Sequence, residues 1–182
     1  DGDFQDKRFV DIINNDLANT IGNLLNRTSS MSRKWFSDKV PNFEKVSSEN
    51  KLKNYTQISV ANYIHNFDTY KLDLAANEVL SLAINTNLYL NDNQPWILIK
   101  EKKNLPLVKE IIYNVLESTR IIGVLLMPLL PQLSSKINEQ LGSIYRKEIP
   151  WKQQLDWGLL VCDSSLPKPV PIINKLEYDQ DL

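Results

Sequence analysis

Apolar residues recur at three- and four-residue spacing along most of the chain, the period of helices that bury one face. Phe9, Ile13, Leu17, Ile21, Leu24 or Leu25, Thr28 and Met31 predict one long helix over residues 4–35, with Asp3 as its cap. Residues 37–54 hold Pro41 and many Ser, Lys and Asn with little periodicity, which predicts a surface connection of net positive charge. Ile58, Ala61, Tyr63 and Ile64 predict a shorter helix over 56–66. Ala75, Ala76, Val79, Leu80, Ala83, Ile84, Asn87 and Leu88 predict a long one over 72–90. The run 91–95 reads as a turn whose Pro95 opens a short helix carrying Trp96. Pro106 starts a further long helix with a stripe that includes Val108, Ile111, Val115, Thr119, Ile122 and Leu126, and Pro128 stops it for want of an amide hydrogen. A last helix over 130–141 meets Gly142, suited to a left-handed cap. The expected fold is all-α, a helical bundle of about five principal helices over residues 1–165. An irregular C-terminal tail over 166–182 follows, opened by Leu166-Pro167-Lys168-Pro169-Val170-Pro171.

Composition narrows the function classes. With 182 residues, 42% of them hydrophobic and 24% charged, the chain can bury a sizeable core, so intrinsic disorder is excluded. A formal charge of -1 gives no global field toward polyanions, so any nucleic-acid site is local. The apolar run 121–130 contains Gly123 and Pro128 and falls well short of the roughly 20 residues of a membrane span. A single Cys, Cys162, and a single His, His65, exclude an internal disulfide framework and leave no metal-ligand cluster. No Gly-rich phosphate loop and no nucleophile–base pair stand out, so no catalytic residue, metal or cofactor is assigned to this chain. The chain opens Asp1-Gly2-Asp3 without a Met, and a domain cut from a longer protein is expected.

Two features point to chemistry of another kind. Asn19, Asn23 and Arg27 stand at steps of four, which places two amides and a guanidinium in one row on the helix side away from Leu17 and Leu24. Amides offer donors and acceptors, as base edges do, and Arg adds a planar fork for a base or a phosphate. The same spacing is also what any amphipathic helix turns toward water. Trp96 follows Pro95 and precedes Lys100, Lys102 and Lys103, so its indole is either a core residue or a stacking platform among cations. Arg33, Lys34, Lys100 and Lys103 are the candidate phosphate contacts. Ser30-Met31-Ser32-Arg33-Lys34 echoes the Lys-Met-Ser-Lys-Ser loop of class I aminoacyl-tRNA synthetases, but Met31 falls on a helical stripe, so the echo is set aside.

The order of the pieces is more specific than any one of them. Asp16-Leu17-Ala18-Asn19-Thr20-Ile21-Gly22-Asn23-Leu24-Leu25-Asn26-Arg27 is followed by Asn87-Leu88-Tyr89-Leu90 leading to Pro95-Trp96, then by Met127-Pro128-Leu129-Leu130-Pro131. This order resembles the C-terminal anticodon-binding domain of bacterial or organellar methionyl-tRNA synthetases over nearly the whole chain. The resemblance implies that Asn19, Asn23, Arg27 and Trp96 read a CAU anticodon, with Trp96 stacking on its first base. It implies methionine tRNA and the catalytic domain of the same parent chain as partners, with no membrane or DNA partner. ATP would be used by that absent catalytic domain, in the bacterial cytoplasm or an organelle. The tail over 166–182 is expected to pack back toward the catalytic domain and to be poorly ordered or repacked without it. An anticodon-binding domain of another class I synthetase, or a helical protein-interaction scaffold, are the alternatives.

Overall fold

The computed structural model describes residues 5–142, 145–146 and 148–177. The expected cap at Asp3 and residues 178–182 of the expected tail lie outside them. Helix α1 (Asp6–Asp11) runs without a break through a π-helical segment (Ile12–Gly22) into α2 (Asn23–Phe36), because Ile12, Gly22 and Asn23 all keep right-handed helical dihedrals. The chain then forms α3 (Lys51–Asp68), α4 (Leu72–Asn93), the single turn α5 (Pro95–Leu98), α6 (Leu105–Leu126) and α7 (Pro131–Gln140). The bundle of five principal helices is therefore as expected. No described helix is long and apolar enough to cross a membrane.

Several boundaries and faces differ from the sequence reading. Helix α3 begins at Lys51 rather than near 56, because Asn50 caps it: Lys53 N–H donates to Asn50 Oδ1 at 2.9 Å. Residues 91–93 complete α4 instead of turning, and the turn shrinks to Gln94 at φ 44°, immediately before Pro95. The α4 stripe is rotated as well. Leu82, Thr86 and Leu90 are buried, while Ile84 and Leu88 are exposed. In α1, Phe9 is exposed rather than core, since α1 buries no residue at all.

The largest difference concerns α6. The sequence predicts a stripe, yet Val108 and every residue from Glu110 to Leu126 are buried. Helices α2, α3, α4 and α7 cover part of it, and two irregular segments cover the rest. The connection after α2 is at the surface as expected, with most of 37–50 exposed, but it is also a strap tied down on α6. Val40 is fully buried and exchanges backbone bonds of 2.9 Å with Ser164 and Asp163, while Val46 N–H, Ser47 N–H and Ser47 Oγ all donate to Glu110 Oε2. On the far side Glu117 accepts the N–H groups of Gly158, Leu159 and Leu160. Arg120 donates to both Glu117 oxygens and to the carbonyls of Gln154 and Asp156. A buried carboxylate is tolerated here because every lone-pair direction finds a donor. Gly123 lets α7 and the following segment close on α6. A Cβ there would stand 2.5 Å from the Tyr145 hydroxyl and 2.8 Å from Ile137 Cγ2.

The described part of the tail, 166–177, is laid on the bundle. Leu166 and Ile172 are buried, Val170 N–H donates to Gln140 Oε1, and Asn14 exchanges two bonds with the backbone of Leu176 at 2.9 and 2.8 Å. Of the two expected states, poorly ordered or repacked, these residues show a packed one, because side chains of the bundle satisfy their backbone groups. Replacing Glu117 by Ala strands a buried guanidinium and three N–H groups. Such losses typically cost about 3–5 kcal/mol, so the midpoint of urea unfolding is expected to fall steeply in Glu117→Ala.

Candidate nucleic-acid interface

The site forms where α2 passes the α4–α5 corner. Gln94 in the left-handed region turns the chain and buried Pro95 fixes the next residue, so that Trp96 projects from α5 with 37% of its surface exposed. The Arg27 guanidinium carbon lies 5.8 Å from the Trp96 ring centroid, within cation–π range. Arg27 Nη2 also donates to Asn91 Oδ1 at 3.1 Å, so one side chain ties α2 to both α4 and α5. Asn19, Asn23 and Arg27 are all exposed. The predicted row and the predicted aromatic platform therefore converge at Arg27.

Local backbone decides how the row is presented. Asn19 sits in the π-helical segment and Asn23 at its end, where the Asn23 N–H reaches back five residues to the Ala18 carbonyl. The Thr20 hydroxyl likewise donates to the Asn15 carbonyl five residues back, at 2.9 Å. From α4, Asn87 Nδ2 donates to the Thr20 carbonyl at 3.2 Å and braces this wider winding. Asn19 Nδ2 donates to Asn15 Oδ1 at 3.3 Å, which extends the row one step toward the N-terminus.

Asn15, Asn87 and Asn91 were missed in the sequence. Asn15 stands at the same four-residue step and was open to detection. Asn87 lay on an apparent core stripe and Asn91 in an apparent turn, so nothing local marked either.

The candidate phosphate contacts are dispersed by comparison. Arg33 Nε pairs with Asp38 at 3.2 Å and Lys103 with Glu101 at 2.8 Å, both exposed pairs that hold their charges only weakly. Lys34 and Lys100 are exposed. Arg33 and Lys34 occupy the last turn of α2, where cations also complement the helix dipole. Away from this face, Cys162 is half-buried. Burial, with a smaller contribution from neighbouring Asp163, pushes its thiol up, the reverse of an activated nucleophile.

Amide donors and acceptors, a guanidinium and an uncovered indole on one face are the apparatus for unstacked nucleobases. A family model described as the anticodon binding domain of methionyl tRNA ligase matches residues 40–180. The chain belongs to this family. The methionine–tRNA ligase of Nostoc sp. is 35% identical over all of this chain and 36% of its own length. That of Thermosynechococcus vestitus is 36% identical over 97% of this chain and 35% of its own. The chain thus spans about a third of the length of these curated relatives. Among solved structures, the apo methionyl-tRNA synthetase of Mycobacterium tuberculosis superposes with a TM-score of 0.82 at 24% identity, over 97% of this chain and 36% of that one. The same enzyme bound by methionyl-adenylate gives 0.81 at 25% identity, over 94% of this chain and 34% of that one. As an anticodon-binding domain of the methionyl family, the chain carries Trp96 on its surface rather than in its core. Trp96→Ala is expected to cost on the order of 1 kcal/mol of stability, lowering the thermal midpoint by about 2–4 °C. Collapse of the fold would place the indole in the core.

Proposed function

We propose that this domain reads the CAU anticodon of methionine tRNA, and that Trp96, Arg27, Asn23 and Asn19 carry the reading. In this account Trp96 stacks on the first anticodon base while the amides and the guanidinium bond to base edges. The observation that carries it is the contact between Arg27 and the exposed Trp96 ring, which joins a hydrogen-bonding row to a stacking surface. Anticodon bases are unstacked in a loop and open to this kind of capture. A wrong base leaves polar groups unpaired, at about 1–3 kcal/mol each. Arg33, Lys34, Lys100 and Lys103 are proposed as backbone contacts that add affinity without adding selectivity.

The parent protein, in the same reading, is an ATP-dependent methionine–tRNA ligase of the bacterial cytoplasm or an organelle. The present chain places the tRNA and leaves chemistry to a catalytic domain. The exposed Phe9 and Ile12, together with the apolar cleft of about 670 Å³ lined by Ile13, Leu17, Leu130, Leu133 and Leu176, offer that domain a surface to pack on. The tail, already seated along this cleft, is proposed to share that contact.

Filter binding of anticodon stem-loops tests the assignment. A CAU loop is expected to bind at least about tenfold more tightly than loops with one base changed, each unpaired group contributing on the order of 1.4 kcal/mol. Trp96→Ala, which removes stacking of about 1–3 kcal/mol, is expected to weaken the CAU complex by a similar factor. Preference for another class I anticodon would transfer the domain to a sister enzyme. Negligible RNA binding even at low salt would favour a protein-interaction scaffold.

A further inference from the structure

A small cleft adjoins the Asn row at Asn23. It has a volume of about 110 Å³ and lies between the first helix, at Gly22, Asn23 and Asn26, and the tail at Pro171, Ile172 and Lys175. The tail is fixed there on both sides of Lys175. Lys136 Nζ donates to the Ile172 carbonyl at 3.1 Å, Ile172 is buried, and Asn14 clasps the backbone of Leu176. Lys175 itself is exposed, and the side chains of Asn23, Asn26 and Lys175 have no hydrogen-bond or ion-pair partner among the described residues. Among the described residues it therefore presents amide donors and a cation with no carboxylate in its lining.

We propose that this cleft is a backbone-phosphate subsite for the RNA strand, with Lys175 supplying the charge and Asn26 a neutral donor. The proposal rests on the anticodon reading above and extends it to a segment that the sequence assigned only to interdomain packing. Size selects the ligand group. Drug-sized or base-sized ligands sit in pockets of roughly 300–1,000 Å³, whereas a space of this volume suits a group the size of a few waters, at about 30 Å³ each. Position agrees, because Asn23 borders both the cleft and the reading row, and Arg27 stands one helical turn, about 5.4 Å, further along. A strand whose base meets Asn23 thus runs past the cleft that Asn23 shares with Lys175, where one of its phosphates is bound. Asn23 directly follows the π-helical segment, and an ideal Cβ on Gly22 would stand 3.8 Å from Ile172 Cγ1, so the tail lies in ordinary contact distance of the helix here.

Equilibrium binding of the CAU stem-loop to the full 182-residue chain and to Lys175→Ala, across a series of salt concentrations, tests this. Neutralising a phosphate contact is expected to weaken CAU and altered loops by the same factor and to reduce the log–log salt slope by about one. Asn23→Ala, in contrast, should weaken the CAU loop selectively. A series of CAU loops each carrying one neutral methylphosphonate should contain a position at which Lys175→Ala has no further effect. If that substitution leaves affinity and slope unchanged while the parent chain still prefers CAU, the cleft is no phosphate site and the anticodon reading stands. If CAU preference is absent but the slope change persists, the base reading falls and the phosphate site remains. Failure of the parent chain to bind any stem-loop overturns both. Because Lys175 is exposed and has no ion-pair partner among the described residues, unchanged thermal unfolding of the variant is expected and separates these outcomes from misfolding.

Discussion

Irregular backbone cannot lie against an apolar core unless its amide groups find partners, and in this bundle one helix supplies them. Along α6, Glu110, Asn114, Glu117 and Arg120 repeat at three- and four-residue steps, which on a surface helix would form a solvated stripe. Here each is buried and each holds a neighbour. Glu110 takes the strap at Val46 and Ser47, Asn114 bonds to Asn50 and Tyr89, and Glu117 with Arg120 takes the segment 154–160. A charged hydrogen bond of this kind contributes about 1.5–3 kcal/mol, and stranding either ion costs more. The two straps could not close over α6 on apolar contact alone.

That closure sets up the binding face. With α6 sealed by straps, α4 is free to pack one side on α6 and to offer Asn87 and Asn91, four residues apart, to the first helix. Asn87 braces the wide π-helical turn at Thr20, and Asn91 orients Arg27 over Trp96. Two polar ladders on different helices thus meet at one guanidinium. Preorganisation of this sort lowers the ordering cost of binding, since the side chains that would capture a base already share one geometry.

The same chemistry explains why the tail lies beside the Asn row. Asn14 lies in the π-helical segment and holds the Leu176 backbone, so the winding that displays Asn19 and Asn23 also fixes the tail beside them. A domain with almost no net charge has to build its polyanion contacts locally. Lys175, from the far end of the chain, lines one cleft with Asn23 and Asn26 of the first helix.

The helical class, the core of α6 from Val108 to Leu126, the Pro95–Trp96 corner and the membership of Asn19, Asn23 and Arg27 in one face were all legible in the sequence. Each follows from short-range physics: apolar period, proline's missing donor and side chains one turn apart. The burial of α6 on every side, the role of Asn50 as a cap and the partners of Arg27 were not. Glu110 and Glu117 look like solvent-facing residues until backbone amides from 46–47 and 158–160 arrive, and Asn91 looks like a turn residue until Arg27, 64 positions away, reaches it. Local spacing fixed what each helix displays. Only long-range pairing of polar groups, which leaves no periodic trace, decided which displays face each other and which are sealed inside.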